Sequence, residues 1–394
     1  MYRLPLITGI VLLFLTEITR VYFIMPFPGS QHADTICLAY FIGRNKWILR
    51  IIGVVLVTFP VYRIFTRDRL WKRILLATVL IFYGIIFFLF NFRFEADKMF
   101  YQPTHKNFAT AVNNTMDSTR LVIGVEINGE AKAFPIQIIG YHHQVRDTIG
   151  HTPVMITYCT VCRTGRVYSP MINGHPESFR LVGMDHFNAM FEDQTTKSWW
   201  QQATGISIAG PLKGSSLKEI PSRQLTLAAW LRKYPDTKIL QADTLYKEQY
   251  KDLADFDKGT IKGSLEKRDS ASWKKKSWVI GVRMPDHDRA YDWNELVLHS
   301  IIQDSIAGYP IMILLEKDTA SFYVFNRNVD GRTLWFTKTL NSPMLTDTNT
   351  RSLWNIEGLC VSGALKDKQM QSVPAYQEFW HSWKQFHPNT TQYQ

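Results

Sequence analysis

Cysteine is scarce in this chain, with four in 394 residues. Two of them, Cys159 and Cys162, stand together in "MITYCTVCRTGRVY", while Cys37 falls in or beside an apolar segment and Cys360 lies in "GLCVSG". A closed structural zinc site takes four protein ligands, and the placement of Cys37 and Cys360 argues against an all-cysteine zinc knuckle. No histidine follows the second cysteine; Arg163 stands there, which argues against covalent haem attachment. The residues after the pair, "RTGRVYS", read as a strand rather than as the start of a helix. A thioredoxin-type site, whose first cysteine sits at a helix N-terminus, is therefore disfavoured. No G-x-S-x-G, P-loop or G-x-G-x-x-G occurs, so hydrolase and nucleotide-binding readings have no motif behind them.

Charge is missing from long stretches near the N-terminus. "LPLITGIVLLFLTEITRVYFIM" (4–25), "WILRIIGVVLVTFPVYRIF" (47–65) and "ILLATVLIFYGIIFFLFNF" (74–92) are each long enough to cross a bilayer. The third has no charged residue; Arg50 and Pro60 interrupt the second. The first lacks a small-x-small cleavage site and contains Thr16, Glu17 and Arg20, which favours an uncleaved anchor over a signal peptide. The connection 26–35 has no Lys or Arg, whereas 63–73 carries Arg63, Arg67, Arg69, Lys72 and Arg73 and belongs in the cytoplasm. Arg44, Lys46 and Arg50 then fall near the outer surface, against the rule. Three spans place everything after about residue 95 outside the cytoplasm, as a multi-pass protein of a bacterial cytoplasmic membrane. Partners are then membrane lipid and an unnamed protein or small molecule, not nucleic acid. The net charge of +11 comes partly from the cytoplasmic loop and partly from "EKRDSASWKKK" (266–276), a solvated linker or a surface for anionic headgroups.

What the chain has in abundance is self-similarity. Residues 122–159 read against 279–316 without a gap, with Val122/Val279, Gly124/Gly281, Ala133/Ala290, His142/His299, Asp147/Asp304, Pro153/Pro310 and Met155/Met312 identical. Residues 193–212 read against 347–365, and Pro221, Trp230 and "YPDT" return as Pro374, Trp383 and "HPNT". The expected architecture is α+β and β-rich: a membrane region (1–94), a first repeat (95–242), a charged connector (243–277) and a second, degenerate repeat (278–394). Asn-Gly at 128–129 and 173–174 predicts hairpin turns, and "TPVMITYC" and "YPIMILLE" predict buried strands. Each half is expected to close with an amphipathic helix, carrying Leu227, Trp230, Leu231 and Tyr234 or Tyr376, Phe379, Trp383 and Phe386.

The duplication is also an internal control, because residues confined to one half are candidates for function. Cys159 aligns with Glu316 and Cys162 with Thr319, so the thiol pair belongs to the first half alone. As metal ligands the two would need help from His142, His143, His186 or Met190. A His-Cys-Cys-Met set suits copper, and zinc is the other candidate cofactor. As a dithiol in an oxidising compartment they could instead form a redox or structural disulfide. His142 has a twin in His299 and so reads also as a structural residue; His143, opposite Ser300, is less explained by a shared fold.

Around "YCTVC", the stretches "YHHQVRDTIGHTPVMIT" and "LVGMDHFNAMFEDQTTKSWWQQATGISIAGPLKG" resemble the bacterial family catalogued as domain-of-unknown-function family 3179 (DUF3179). The likeness rests on Tyr141, His142, Asp147, Tyr158, Cys159, Cys162, Gly183, Asn188, Asp193, Ser198, Trp200, Gln202 and the Gly210–Leu212 run. It covers roughly 120–240, with the second half related only through the duplication. It brings no established activity, and implies an extracytoplasmic protein whose shared site is His142, Cys159 and Cys162, with Asn188 a possible addition. It favours His142 over His143.

Overall fold

The computed structural model describes residues 2–285, 287–339 and 342–394 of a mixed, strand-rich α/β chain that begins with three long apolar helices. The chain divides into two compact units, residues 1–101 with 171–217, and residues 102–170 with 218–394.

The first unit holds helices α1 (Arg3–Tyr22), α2 (Ile36–Arg67) and α3 (Leu70–Phe92), each long and apolar enough to cross a membrane. Helix α2 begins well before the expected 47 and continues through Pro60. Its 32 residues rise about 48 Å, more than the roughly 30 Å of hydrocarbon in a bilayer. Helices α1 and α2 approach closely at two glycines, since a Cβ on Gly9 would meet Val57 at 2.6 Å and one on Gly53 would meet Leu13 at 2.7 Å.

The charges that interrupt the apolar pattern satisfy one another. The Arg50 guanidinium donates to both Glu17 carboxylate oxygens at 2.7 and 2.8 Å and to Asn91 Oδ1 at 2.7 Å. Arg20 reaches Glu95 at 2.6 Å and the Phe90 carbonyl at 2.5 Å. Arg50 is thus spent on an ion pair inside the bundle rather than presented to the outer surface.

The same unit contains a four-stranded antiparallel meander of Phe179–Asp185, Asn188–Asp193, Trp199–Gln201 and Ser207–Ala209. It sits at the end of the bundle where α1 and α2 are joined. Met184 N–H donates to the Ile24 carbonyl, Phe187 N–H donates to Gln31 Oε1, and Tyr40 meets Trp199 edge to face at 5.1 Å.

In the second unit, Leu121–Ile127 and Glu130–Pro135 pair through a turn at Asn128 and Gly129, both left-handed (φ 52° and 83°), as the Asn-Gly dipeptide predicts. The helix Ile136–His142 follows, then the three-stranded sheet Gln144–Ile149, Thr152–Cys159 and Thr164–Tyr168. Further on, Trp278–Met284 and His287–Asp292 pair, the helix Trp293–His299 follows, and Ile301–Ile306, Tyr309–Leu315 and Phe322–Asn326 form another three-stranded sheet. One apolar core joins Val122, Leu225 and Trp230 to Met312, Phe325 and Trp354.

The two expected closing helices are shorter than their apolar stripes. Arg223–Thr226 and Ala375–Phe379 are strands, leaving seven-residue helices at Leu227–Lys233 and Trp380–Phe386. Tyr376 and Phe379 therefore lie on a strand, because the backbone there completes the sheet edge beside Trp278–Met284. Trp230 and Trp383 lie flat against Gly124 and Gly281, where any Cβ would overlap the indole. The 243–277 segment is packed rather than loose: Asp243 accepts from the Thr104, His105 and Leu245 amides, and Tyr250 and Phe256 are buried.

Candidate functional site

Cys159 ends its strand opposite Thr164, so the pair sits on a β-hairpin turn. The turn closes through Arg163 N–H donating to the Thr160 carbonyl at 3.2 Å, with Arg163 in the left-handed region (φ 54°). That strained position is held from outside the hairpin. The Arg163 guanidinium lies 3.9 Å over the Trp278 ring and donates to Gln377 Oε1 at 2.8 Å and the Phe256 carbonyl at 3.2 Å. Cys162 consequently folds back on Cys159, and the two side chains are in hydrogen-bonding contact with each other. Both are thiols, and both are fully buried.

The walls of this chamber come from residues far along the chain. Phe379 N–H donates to the Cys162 carbonyl at 3.0 Å. Lys276 Nζ donates to the Val161 carbonyl at 2.6 Å, and its ammonium faces both thiols. His381 Nε2 lies 3.2 Å from both Lys276 Nζ and the Val161 carbonyl, so it accepts from the lysine in one tautomer and donates to the carbonyl in the other. Ser382 bonds the Cys162 side chain, lies 3.3 Å from Thr164 Oγ1 and donates to Glu378 Oε2 at 3.0 Å. Glu378 in turn accepts from Arg166 at 2.5 Å, and both are 1% exposed.

Burial dominates the proton affinities. It pushes the Cys162 thiol well above its ordinary value, with the neighbouring Cys159 adding to the rise and Ser382 and Lys276 opposing it. Burial lowers Lys276, against the attraction of the two cysteines and Glu266. His381 is pushed down to about 3 by burial and the Lys276 charge. His143 is pushed down to about 4 by burial, against its bond to the Tyr158 carbonyl.

These two neutral histidines make the fold acid-sensitive. Below the ordinary histidine range the unfolded chain takes up protons that the folded chain refuses, so stability falls as pH drops from about 6.5 towards 4. Each histidine contributes about a tenfold change in the folding equilibrium per pH unit within that window. Melting of the full-length protein between pH 7 and 4.5 checks this: wild type should lose stability steeply, and a His143→Gln/His381→Gln variant should lose visibly less.

The expected ligands are distributed as follows. His142 Nε2 meets Tyr250 Oη at 2.6 Å within a ring of Tyr141, Tyr246 and Tyr250. Its aligned partner His299 is instead an exposed residue beside Glu295 at 3.3 Å, so the two do not share a structural role. His143 and Ser300 do share one: each ends a helix with a left-handed backbone (φ 59° and 61°). The His143 side chain additionally bonds the Tyr158 carbonyl at 3.0 Å, one residue before Cys159.

His186, Asn188 and Met190 belong to the other compact unit. There His186 pairs with Asp185 at 2.7 Å, Asn188 donates to Gln202 Oε1 at 2.9 Å and accepts from Ala203 N–H, and Met190 is core. Among the described residues, no group of three or more His, Cys, Asp or Glu side chains is placed to hold a metal ion.

Lys276, Glu378, His381 and Ser382 were not among the sequence candidates. A signal for the last two was available: "AAW" (228–230) aligns with "HSW" (381–383), so His381 and Ser382 stand opposite alanines and are confined to the second half.

Comparison with known proteins places the chain after the helices in a protein family. The family model described as "Protein of unknown function (DUF3179)" covers residues 101–390. The chain belongs to this family. The match takes in both halves of the chain after the helices, and so includes Lys276, Glu378, His381 and Ser382 as well as the cysteines. No curated protein and no solved structure matches this DUF3179 chain.

Proposed function

We propose that this DUF3179 protein is a membrane-anchored, extracytoplasmic thiol-redox protein, in which Cys159 and Cys162 interconvert between dithiol and disulfide. The observation that carries this is the contact between the two thiols inside a buried chamber whose charged wall is the Lys276 ammonium. Oxidation joins the two sulfurs and releases two protons and two electrons to a thiol–disulfide partner. The basic turn at 63–73 supports the orientation, since it lies at the end of the bundle away from the 179–209 meander.

The soluble part is a tandem duplication, with repeats at 95–242 and 278–394 flanking a connector at 243–277. Two sequences of strand, strand, helix and three-stranded sheet support it, as do the two glycine–tryptophan couples. On this view the first repeat's turn docks on the second repeat's last helix. At the corresponding place in the second repeat, Glu316 makes an ion pair with Arg232 at 2.6 Å. Cys159 stands where that pair has its carboxylate.

One observation favours a soft metal instead. Monovalent copper accepts two thiolates, and Lys276 would offset the negative charge of that complex. Zinc, which takes four ligands, fits the chamber less well. The third reading is a non-catalytic binding or assembly module with a permanent structural disulfide.

The experiment uses full-length protein carrying Cys37→Ser, purified without chelator and equilibrated in reducing and oxidising glutathione buffers. The redox reading predicts that two thiols are lost and regained together, that Cys159→Ser abolishes the step, and that no metal copurifies in stoichiometric amount. Stoichiometric copper lost in Cys159→Ser would establish the metal reading. A bridge that resists reduction in the folded protein would establish the structural one.

A further inference from the structure

The first unit contains a cavity of about 310 Å³ at the end of the helix bundle that carries the meander. Five cations line it: Arg20, Arg44, Lys46, Arg180 and Lys197. Two carboxylates share the wall, and both are already engaged. Glu95 pairs with Arg20 at 2.6 Å. Glu192 pairs with Arg180 at 2.9 Å and accepts from Trp199 Nε1 at 2.9 Å. Arg44, Lys46 and Lys197 have no ion-pair partner among the described residues, so the cavity carries unbalanced positive charge.

Its depth is set by helix α2. Counting back from Arg67 in the basic turn, roughly 30 Å of hydrocarbon takes about 20 residues and ends near Trp47. Trp47 is 64% exposed, as expected of an aromatic side chain at the bilayer interface. Arg44 and Lys46 lie just beyond it, at the level of lipid headgroups. Trp47 also belongs to a second groove of about 510 Å³ between α2 and α3, walled by Ile51, Val54, Val55, Tyr83 and Phe87 and by Arg50, whose guanidinium is bound to Glu17, so that its exposed surface is almost wholly apolar. A cationic chamber at headgroup depth and an apolar groove leading from the same tryptophan into the membrane match the two parts of one molecule.

We propose that this is a binding site for an anionic phospholipid of the leaflet on the meander's side. Its phosphate pairs with Arg44, Lys46 and Lys197, and an acyl chain lies in the groove below Trp47. The site would tie the meander to the membrane surface through the lipid as well as through the chain.

The test is binding of defined lipids to delipidated full-length protein, read by native mass spectrometry and by thermal shift. The probes are long-chain phosphatidylglycerol, its short-chain analogue, phosphatidylcholine and inorganic phosphate. Long-chain phosphatidylglycerol should bind at least about tenfold tighter than phosphatidylcholine, and the short-chain form should bind more weakly. Lys46→Gln and Lys197→Gln should each weaken phosphatidylglycerol binding about fivefold, and the pair more, if each basic side chain contributes the usual amount at a lipid surface. Lys247→Gln, at an exposed lysine that does not line the cavity, should change nothing. Unchanged melting of each single variant without lipid shows that it is folded. Equal affinity for phosphatidylcholine, undiminished binding in both variants, or equal protection by inorganic phosphate would overturn the proposal.

Discussion

Glu378→Ala is expected to destabilise the protein by about 3–5 kcal/mol, the usual cost of removing one partner of a buried ion pair. Arg166 and Glu378 are each 1% exposed and 2.5 Å apart, so the substitution leaves a guanidinium in the interior without its nearest counter-charge. Glu219, 3.7 Å from Arg166 and partly exposed, compensates incompletely. The Tyr376 ring, 3.4 Å from the guanidinium, keeps Arg166 from swinging out to water. The same substitution removes the acceptor of Ser382, whose bond to Cys162 opposes the rise in that thiol's proton affinity. Melting of the purified protein measures the loss. Arg166→Met/Glu378→Leu, which removes both charges, should recover most of it. If the double substitution is as damaging as the single one, the loss is one of packing rather than of charge.

Gly281→Ala is the second large effect. The added methyl would overlap the six-membered ring of Trp383, which is fully buried and tethered by its Nε1 donating to Thr390 Oγ1 at 2.8 Å. Overpacking of this kind costs about 1–3 kcal/mol, occasionally more, and a tethered indole has little room to relax. Gly124→Ala should behave alike, because Trp230 is buried against it and held by Thr237 at 3.0 Å. A smaller partner restores the space, so Trp383→Leu should cost less on the Gly281→Ala background than alone. Additive losses in that cycle would show that the indole does not press on the glycine.

Both couples were legible in the sequence as identities, Gly124/Gly281 and Trp230/Trp383, but not as contacts. Alignment of the two halves says which residues recur, and not which of them touch. The strands that flank the cysteines were legible for a local reason, since "TPVMITYC" and "RTGRVY" each read as strand from their own residues; what holds the turn between them, Trp278, Phe256 and Gln377, lies far along the chain. The walls of the chamber were not. Lys276 sat in a charged stretch that reads as solvent-exposed, yet its ammonium is drawn inward by the Val161 carbonyl and the two thiols. His381 and Ser382 lie between Phe379 and Trp383, members of an aromatic stripe whose helical spacing suggests a longer helix. The strand Ala375–Phe379 takes up the first part of that stripe, and this turns the two polar residues towards the cysteines. His142 misled in a different way. Its twin suggested a shared role, but His299 faces water while His142 is enclosed by tyrosines. Of the charges at 44–50 that run against the positive-inside rule, Arg50 is accounted for by its pairing with Glu17, while Arg44 and Lys46 line the cationic cavity.

The most direct test of the account is the reduction potential of the Cys159–Cys162 pair in full-length protein carrying Cys37→Ser, compared with Lys276→Met and Lys276→Arg on the same background. Lys276 opposes the rise in the Cys162 proton affinity, so it stabilises whatever thiolate character the reduced pair takes; a disulfide cannot ionise and gains nothing comparable, so the lysine favours the dithiol. The account predicts a single two-electron transition, lowered in Lys276→Met by about 30 mV or more, which corresponds to about a tenfold change in the equilibrium. Lys276→Arg should lie near wild type. A pair that shows no reversible transition, or one whose potential is the same with methionine at 276, would contradict it.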